Sequence, residues 1–165
     1  MIPATRQRNY LQSALYVIIA GLCAGLLLER LLVYAEAAEK AAMAATLSRL
    51  HAALYARVAY LALRNEHAAI EALRGESPFR STGATADNYL GEFDGVPRAA
   101  SDRQWLFDRT RRELVYLPRL TRHLEGSAAT AVPKALRFKV DLESTVTGGY
   151  GAVKLTPAEP YRWEP

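Results

Sequence analysis

The sequence predicts an α+β protein in which one long N-terminal helix packs on a small antiparallel sheet of about four strands. Three observations support this prediction. An uncharged, largely apolar run over residues 9–28 continues, with no proline, into an Ala-rich helical sequence that reaches Arg74. Apolar residues in the later part of that sequence recur at the spacing of one helical face. Beyond residue 100, short segments alternate apolar and polar residues, which is the period of a half-buried strand.

The apolar run is long enough to be a transmembrane helix, because roughly 20 apolar residues cross the hydrocarbon core of a bilayer. Glu29 and Arg30 follow it directly, so the helix beyond Leu28 is expected to lie outside the lipid. Arg6 and Arg8 favour a cytoplasmic N-terminus, which places most of the chain on the far side of the membrane. We therefore expect a single-pass anchor.

A cleavable secretory signal is the alternative to an anchor, with the small residues around Ala35 and Ala37 as its cleavage region. The apolar run is longer than a usual signal core and continues into helix-favouring sequence, which favours the anchor. Cys23, the only cysteine, lies inside the run and has no partner for an intrachain disulfide. Leu22 stands where a lipoprotein acceptor would have a small residue, so lipidation of Cys23 is not expected.

Small residues in the apolar run indicate a surface for helix packing in the membrane. Gly21 and Gly25 stand four positions apart and are flanked by Ala20 and Ala24. This spacing lets a second helix approach closely in lipid. Glycine and alanine are also common in membrane helices that pack on nothing, and this reading stays open.

The second half of the helical sequence carries an apolar stripe. Six residues spaced by three or four positions form it: Met43, Leu47, Leu50, Leu54, Val58 and Leu61. We interpret the stripe as the face on which the sheet packs, since it is too short to require a coiled coil. Glu36 lies four residues before Lys40, the order that favours an ion pair on the helix surface. Gly75 and Pro78 are stop signals, so the helix is expected to end near Arg74.

The chain therefore divides into three parts. Residues 1–28 form a short lead and the transmembrane helix, residues 29–75 continue the helix outside the membrane, and residues 76–165 form a loop-rich segment and the sheet. The four predicted strands cover residues 105–108, 113–117, 135–143 and 150–156. A short connection at residues 109–112 predicts that the first two strands form a hairpin.

The composition and motifs argue against an enzyme. The formal charge of +4 is spread evenly along the chain, so no segment has the basic excess of a nucleic-acid binder. His51, His67 and His123 lack the spacing of metal ligands, and neither a phosphate-binding loop nor a nucleophile elbow is present. We expect no catalytic residues, no cofactor and no metal site. The aromatic residues of the second half are expected to form core: Tyr89, Phe93, Trp105, Phe107 and Tyr116.

Four short motifs follow the helix. They are Ser77-Pro78-Phe79, then Asn88-Tyr89-Leu90-Gly91-Glu92, then Trp105-Leu106-Phe107-Asp108, and finally Glu113-Leu114-Val115-Tyr116. Together with the membrane rod, this pattern resembles the type IV pilins and type II secretion pseudopilins, in particular minor pilins of the mannose-sensitive-haemagglutinin type. The resemblance covers residues 8–117.

The resemblance implies a non-enzymatic structural or assembly component of a type IV pilus or a type II secretion machine. It also implies a location in the bacterial inner membrane, with the C-terminal domain in the periplasm. The implied partners are other pilin-like or pseudopilin subunits, contacted through the N-terminal helix, and membrane lipid.

The processing site of prepilins is missing. Prepilins carry a glycine at that site and a glutamate at the fifth mature position, whereas this chain has Arg8-Asn9-Tyr10-Leu11-Gln12 there. The chain is therefore expected either to stay uncleaved in the inner membrane or to enter a filament through other contacts. A separate alternative is a membrane-anchored periplasmic sensor or adaptor, in which the arginines of residues 103–122 and the loop at residues 76–104 line an anionic pocket.

Overall fold

A computed structural model of the chain describes residues 4–97, 100–126, 134–144 and 150–165. It confirms the α+β class: one long helix packs on a mostly antiparallel sheet. Helix α1 spans Ala4–Leu63. Two short helices follow, α2 at His67–Ala72 and α3 at Pro78–Thr82, with a turn of 3₁₀-helix at Leu73–Gly75 between them.

Helix α1 ends at Leu63, eleven residues before the predicted end near Arg74. The reason is Asn65, which adopts a left-handed conformation with φ of 58° and turns the chain. The Glu66 N–H then bonds back to the Leu61 carbonyl at 3.0 Å, which closes the turn. The break lets Ile70 on α2 pack beside the end of α1, where it is fully buried. The helical sequence over residues 29–75 is thus three pieces rather than one.

The described residues form seven strands, three more than predicted. Their bounds are β1 Tyr89–Phe93, β2 Gln104–Asp108, β3 Glu113–Leu117, β4 Leu124–Gly126, β5 Leu136–Ser144, β6 Tyr150–Pro157 and β7 Tyr161–Trp163. Five of them form the main sheet in the order β1-β2-β3-β5-β6, and β4 pairs with β7 in a separate two-stranded sheet. The strands that sequence reasoning missed are β1, β4 and β7.

The predicted hairpin is confirmed by β2 and β3, which pair antiparallel from Gln104 opposite Leu117 to Asp108 opposite Glu113. Asp108 organises the turn, because its Oδ1 accepts the backbone N–H groups of Thr110 and Arg111 at 3.0 and 3.2 Å. Side chains of Asp and Asn commonly bond the backbone two or three residues on, and this bond favours a turn. Strand β1 pairs parallel with β2, so the chain between them returns to the same end of the sheet.

Helix α1 covers one face of the main sheet with the predicted stripe. Met43, Leu50, Leu54, Val58 and Leu61 are each exposed by 8% or less, and Leu47 packs against them half-buried. The N-terminal part of the stripe meets Trp105, Leu114, Tyr116, Leu136 and Phe138 of the sheet. Its distal part meets Val140, Leu142 and Val153 together with Ile70 and Leu73.

The opposite face of the β2–β3 hairpin is buried as well. Leu106, Val115 and Leu117 are each exposed by 4% or less and cluster with Ala135. Phe93, Val96 and Ala100, in and after β1, pack over them. The hairpin is therefore the centre of the fold, with α1 on one side and the β1–β2 connection on the other.

Candidate functional site

The sheets and the short helices that pack on the second half of α1 are called the β domain below. The first half of α1 projects from this domain, and no other part of the chain that the structure describes covers it. Every residue at positions 12–32 is exposed, including large apolar side chains such as Val17, Leu26 and Leu31. This is the one helix among the described residues that is long and apolar enough to cross a membrane. The uncharged apolar run within α1, residues 9–28, rises by about 30 Å, which matches a hydrocarbon core of roughly 30 Å.

Gly21 and Gly25 lie within this bare segment. A methyl group added at either position would meet no atom of another part of the protein within 4 Å. Cys23, between them, is exposed too. The helix surface around these glycines is therefore free for lipid or for a helix from another molecule.

Two buried carboxylates mark the point where the bare helix enters the domain. Glu36 is 2% exposed. Its Oε1 accepts the backbone N–H of His123 at 3.0 Å and the indole N–H of Trp163 at 2.8 Å. Its Oε2 lies 2.8 Å from His123 Nδ1. Glu36 is thus part of the interior, and the predicted ion pair with Lys40 on the helix surface is replaced by these contacts.

Glu39 stands one turn further along α1 and is 4% exposed. Its Oε1 accepts the Tyr116 hydroxyl at 3.1 Å and the Arg119 N–H at 2.7 Å. Its Oε2 accepts the Leu120 N–H at 3.3 Å and lies 3.4 Å from Arg103 Nε. Glu36 and Glu39 together, with the donors named here, are called the carboxylate junction below.

The carboxylate junction fixes the position of the β domain on α1. Its donors come from β3, from the loop after it and from β7, so one stretch of helix holds several separate segments. Buried charges of this kind persist only when hydrogen bonds satisfy them. Within the described part of the chain, no buried side-chain nitrogen or oxygen lacks a partner. The joint is therefore directional, unlike an apolar contact that can slide.

The electrostatics of the junction follow from burial and from these bonds. Burial acts to raise the pKa of Glu36, but the hydrogen bonds from His123 and Trp163 outweigh it, and the net pKa is lowered. Burial raises the pKa of the Tyr116 hydroxyl, and the neighbouring Glu39 carboxylate raises it further. The junction thus holds an ionised Glu36, and it holds a neutral Tyr116 whose hydroxyl donates to Glu39.

The lowered pKa of Glu36 predicts acid-sensitive stability. A carboxylate whose pKa is lower in the folded state contributes stability above its unfolded pKa of about 4.5, and this contribution is lost as the pH falls through the folded value. Urea unfolding of the full chain in detergent, followed by tryptophan fluorescence between about pH 3 and 7, measures it. We expect the stability difference between wild type and Glu36→Gln to be largest near neutral pH and to shrink below about pH 4.5. An equal difference at every pH would contradict this assignment.

The motif residues that carry the pilin resemblance fall into two halves. The first half, residues 88–92, lies at the edge of the main sheet. The Asn88 side-chain amide donates to the Arg103 carbonyl at 2.5 Å, which ties the start of β1 to the start of β2. The Tyr89 hydroxyl lies 2.9 Å from Ser77 Oγ, and the Tyr89 ring packs against that of Phe79 at a tilt of 33° with centroids 4.3 Å apart. Gly91 has a φ of 112° at the register shift of β1, a bulge that favours glycine. Leu90 is exposed, and the Glu92 carboxylate lies 3.6 Å from Arg80.

The second half of the motif forms the central hairpin. Trp105 is 1% exposed, and its ring packs against that of Tyr116 at a tilt of 43° with centroids 4.7 Å apart. Phe107 and Leu114 are cross-strand partners on the same face, and Val115 faces the opposite side. Asp108 forms the turn contacts given above. The motif residues therefore have structural roles that the contacts explain.

The histidines and clefts show no assembled chemistry in the part of the chain that the structure describes. The His51 Nε2 lies 2.7 Å from the Val153 carbonyl, where it ties α1 to β6. No group of three His, Cys, Asp or Glu residues converges among the described residues. A cleft of about 340 Å³ separates α1 from the loop after α3, and Arg49 lines it. A second cleft is lined by Arg57 and Arg80, and the arginines of residues 103–122 lie outside both.

Sequence reasoning missed the carboxylate junction, although the signal was present. Glu36 and Glu39 extend the stripe of Met43 and Leu47 backwards at the same spacing of three and four. Acidic residues at positions that a buried stripe would occupy indicate either its end or a buried polar contact, and here they make the contact.

The comparisons with known proteins identify no relative. No protein-family description matches the chain, and neither a curated protein nor a solved structure is significantly similar to it.

Proposed function

We propose that this chain is a non-enzymatic, pilin-like structural or assembly protein, anchored in the bacterial inner membrane by the first half of α1. The N-terminus lies in the cytoplasm and the β domain in the periplasm. The partners are other pilin-like or pseudopilin subunits of a type IV pilus or type II secretion machine, contacted through the same helix.

One observation carries the proposal: an apolar helix of membrane length projects bare from a β domain that is held rigidly to its other half. A bare apolar surface of this size is unfavourable in water and requires lipid or a partner. The carboxylate junction and the buried stripe supply the rigid attachment that a scaffold needs to transmit position from membrane to domain. The motif resemblance over residues 8–117 supports the pilin-like assignment.

The missing prepilin glutamate gives this proposal a specific form. Gln12 stands in the segment where that acidic residue would lie, so no carboxylate is available there to pair with a neighbour's amine. Association is then left to close packing of the helices. The face that contains Gly21 and Gly25 allows such packing, because both glycines are open.

A photo-crosslinking side chain placed at two positions of α1 tests this proposal in native membranes. Leu28 lies seven residues after Gly21, close to two full turns, and so shares its face. Cys23 lies on the other side of the helix and is the matched control. We expect position 28, but not position 23, to capture a second copy or another single-pass protein of pilin-like build, identified by mass spectrometry. Replacing both Gly21 and Gly25 by leucine is expected to abolish the adduct while membrane insertion is kept.

Two results would contradict the proposal. One is equal capture at positions 28 and 23, which would mean that the glycine face has no special role. The other is the absence of any protein adduct together with a strictly monomeric chain in detergent.

A further inference from the structure

The loop between β3 and β4, residues 118–123, lies at the end of the domain nearest to the bare helix. The N–H groups of Arg119 and Leu120 bond to Glu39, and the N–H of His123 bonds to Glu36. The uncharged apolar run of α1 ends at Leu28, eight residues before Glu36. At the helical rise of 1.5 Å, the backbone of the loop is therefore about 12–17 Å further along the helix axis than the end of the apolar segment.

The loop carries unneutralised positive charge. The side chains of Arg119 and Arg122 are exposed, and neither forms an ion pair with another residue in the described ranges. Lys134, also exposed, donates from Nζ to Thr121 Oγ1 at 2.9 Å and so adds its charge to the loop. These three side chains are called the basic loop below.

The acidic groups around the basic loop are largely occupied. Glu36 and Glu39 are buried and their oxygens accept hydrogen bonds from the domain. On the β4–β7 sheet, Arg162 lies 2.7 Å from Glu164 and opposite Glu125 in the register. Asp102 is a further exposed carboxylate near this end of the sheet, and the basic loop outnumbers it.

These observations fit a particular surface. The headgroup layer on each side of a bilayer adds roughly 5–8 Å to the hydrocarbon core. With residues 9–28 in that core, a loop about 12–17 Å beyond it lies about 4–12 Å outside the headgroup layer. Long basic side chains extend toward such a surface, and anionic lipids attract them within a Debye length of about 8–10 Å.

We propose that the basic loop docks on the headgroups of anionic phospholipids in the leaflet from which the β domain projects. This proposal rests on the membrane anchorage proposed above. The basic loop thereby adds a second membrane contact beside the helix. Anionic lipids hold the β domain against the membrane and fix which side of the domain faces neighbouring subunits.

The test compares lipids bound by the full chain. Wild-type protein is purified from detergent micelles that contain equal amounts of phosphatidylglycerol and phosphatidylcholine, and the retained lipids are counted by mass spectrometry. We expect wild type to enrich phosphatidylglycerol, and Arg119→Gln with Arg122→Gln to lower that enrichment about tenfold. The variant with both arginines replaced by lysine should keep the enrichment, since lysine carries the same positive charge and the attraction to anionic headgroups depends on that charge.

The matched control removes two charges elsewhere on the chain. Arg49→Gln with Arg57→Gln replaces two exposed arginines that lie ten or more positions further along α1 than Glu39, and it should leave the enrichment unchanged. Each variant is expected to fold, because Arg119 contributes only its backbone N–H to the carboxylate junction. Tryptophan fluorescence verifies this.

An enrichment that is the same in wild type and in the Arg119→Gln, Arg122→Gln variant would overturn this proposal. Alkaline carbonate extraction of native membranes separates that outcome from a failure of the anchor. Protein that stays in the membrane while the variant changes nothing refutes only the basic loop, whereas protein released by carbonate refutes the anchorage itself.

Discussion

Replacing Glu39 by alanine is expected to lower the free energy of unfolding of the β domain by about 3 kcal/mol. The substitution leaves the Tyr116 hydroxyl and the N–H groups of Arg119 and Leu120 without their acceptor. Unsatisfied buried donors lose the full desolvation free energy, and bonds to charged acceptors are among the strongest. Urea unfolding of the full chain in detergent, followed by the fluorescence of the two buried tryptophans, Trp105 and Trp163, measures the change.

The matched control is Glu71→Ala on α2. The Glu71 carboxylate is about half exposed and pairs with Arg74 at 3.0 Å. Exposed pairs contribute little, so this variant is expected to change the free energy of unfolding by less than about 1 kcal/mol. If Glu39→Ala were as mild as Glu71→Ala, the carboxylate junction would not be the attachment described above.

Replacing Trp105 by alanine is expected to have the largest effect, a loss of about 3–5 kcal/mol. Trp105 is 1% exposed and contacts three other aromatic rings, those of Tyr116, Phe138 and Phe79, at centroid distances of 4.7, 6.1 and 6.5 Å. The hairpin lies at the centre of the fold, so a cavity there loosens its packing on α1. Because domains are marginally stable, we expect this variant to be largely unfolded outside the first half of α1.

Near-ultraviolet circular dichroism and limited proteolysis of the detergent-solubilised chain detect this loss. Trp105→Phe keeps part of the volume and should lie between wild type and the alanine variant. Tyr55→Ala is the surface control, since Tyr55 is 60% exposed, and it should change stability by less than about 0.5 kcal/mol. A Trp105→Ala variant with the stability of Tyr55→Ala would show that the hairpin does not form the core.

The helix and the long strands could be predicted from sequence because their signals are local. The spacing of Leu50, Leu54 and Val58 marks one helical face, and the alternation along β5 marks one sheet face. Both periods are imposed by backbone geometry, so a single sequence shows them. The hairpin of β2 and β3 was predictable for the same reason, with a short polar connection between two apolar segments.

The remaining elements depend on contacts between distant parts of the chain. Strands β4 and β7 have three residues each, which is too short to show a period. They pair with each other although β5 and β6 lie between them in the sequence. Strand β1 is parallel to β2 and contains Gly91 in a bulge, which reads as loop in the sequence. The end of α1 depends on the left-handed conformation of Asn65, which is stabilised by the burial of Ile70 against the end of the helix.

The carboxylate junction illustrates a different reason for the limits of sequence reasoning. Glu36 and Lys40 have the spacing of a surface ion pair, and the local rule for helices favours that pair. Burial under His123 and Trp163 overrides the rule, because the donors come from residues that lie far away in sequence. Only the three-dimensional arrangement shows that the charge belongs to the interior.

Labelling of Cys23 in native membranes tests most directly whether the bare half of α1 lies in lipid. The protein itself leaves Cys23 exposed, so any protection of its thiol must come from outside the chain. In opened membrane vesicles, a membrane-impermeant maleimide is expected to leave Cys23 unmodified, and the same reagent is expected to modify it after unfolding in detergent. Complete modification of Cys23 in the intact bilayer would place this helix in water and contradict the anchor.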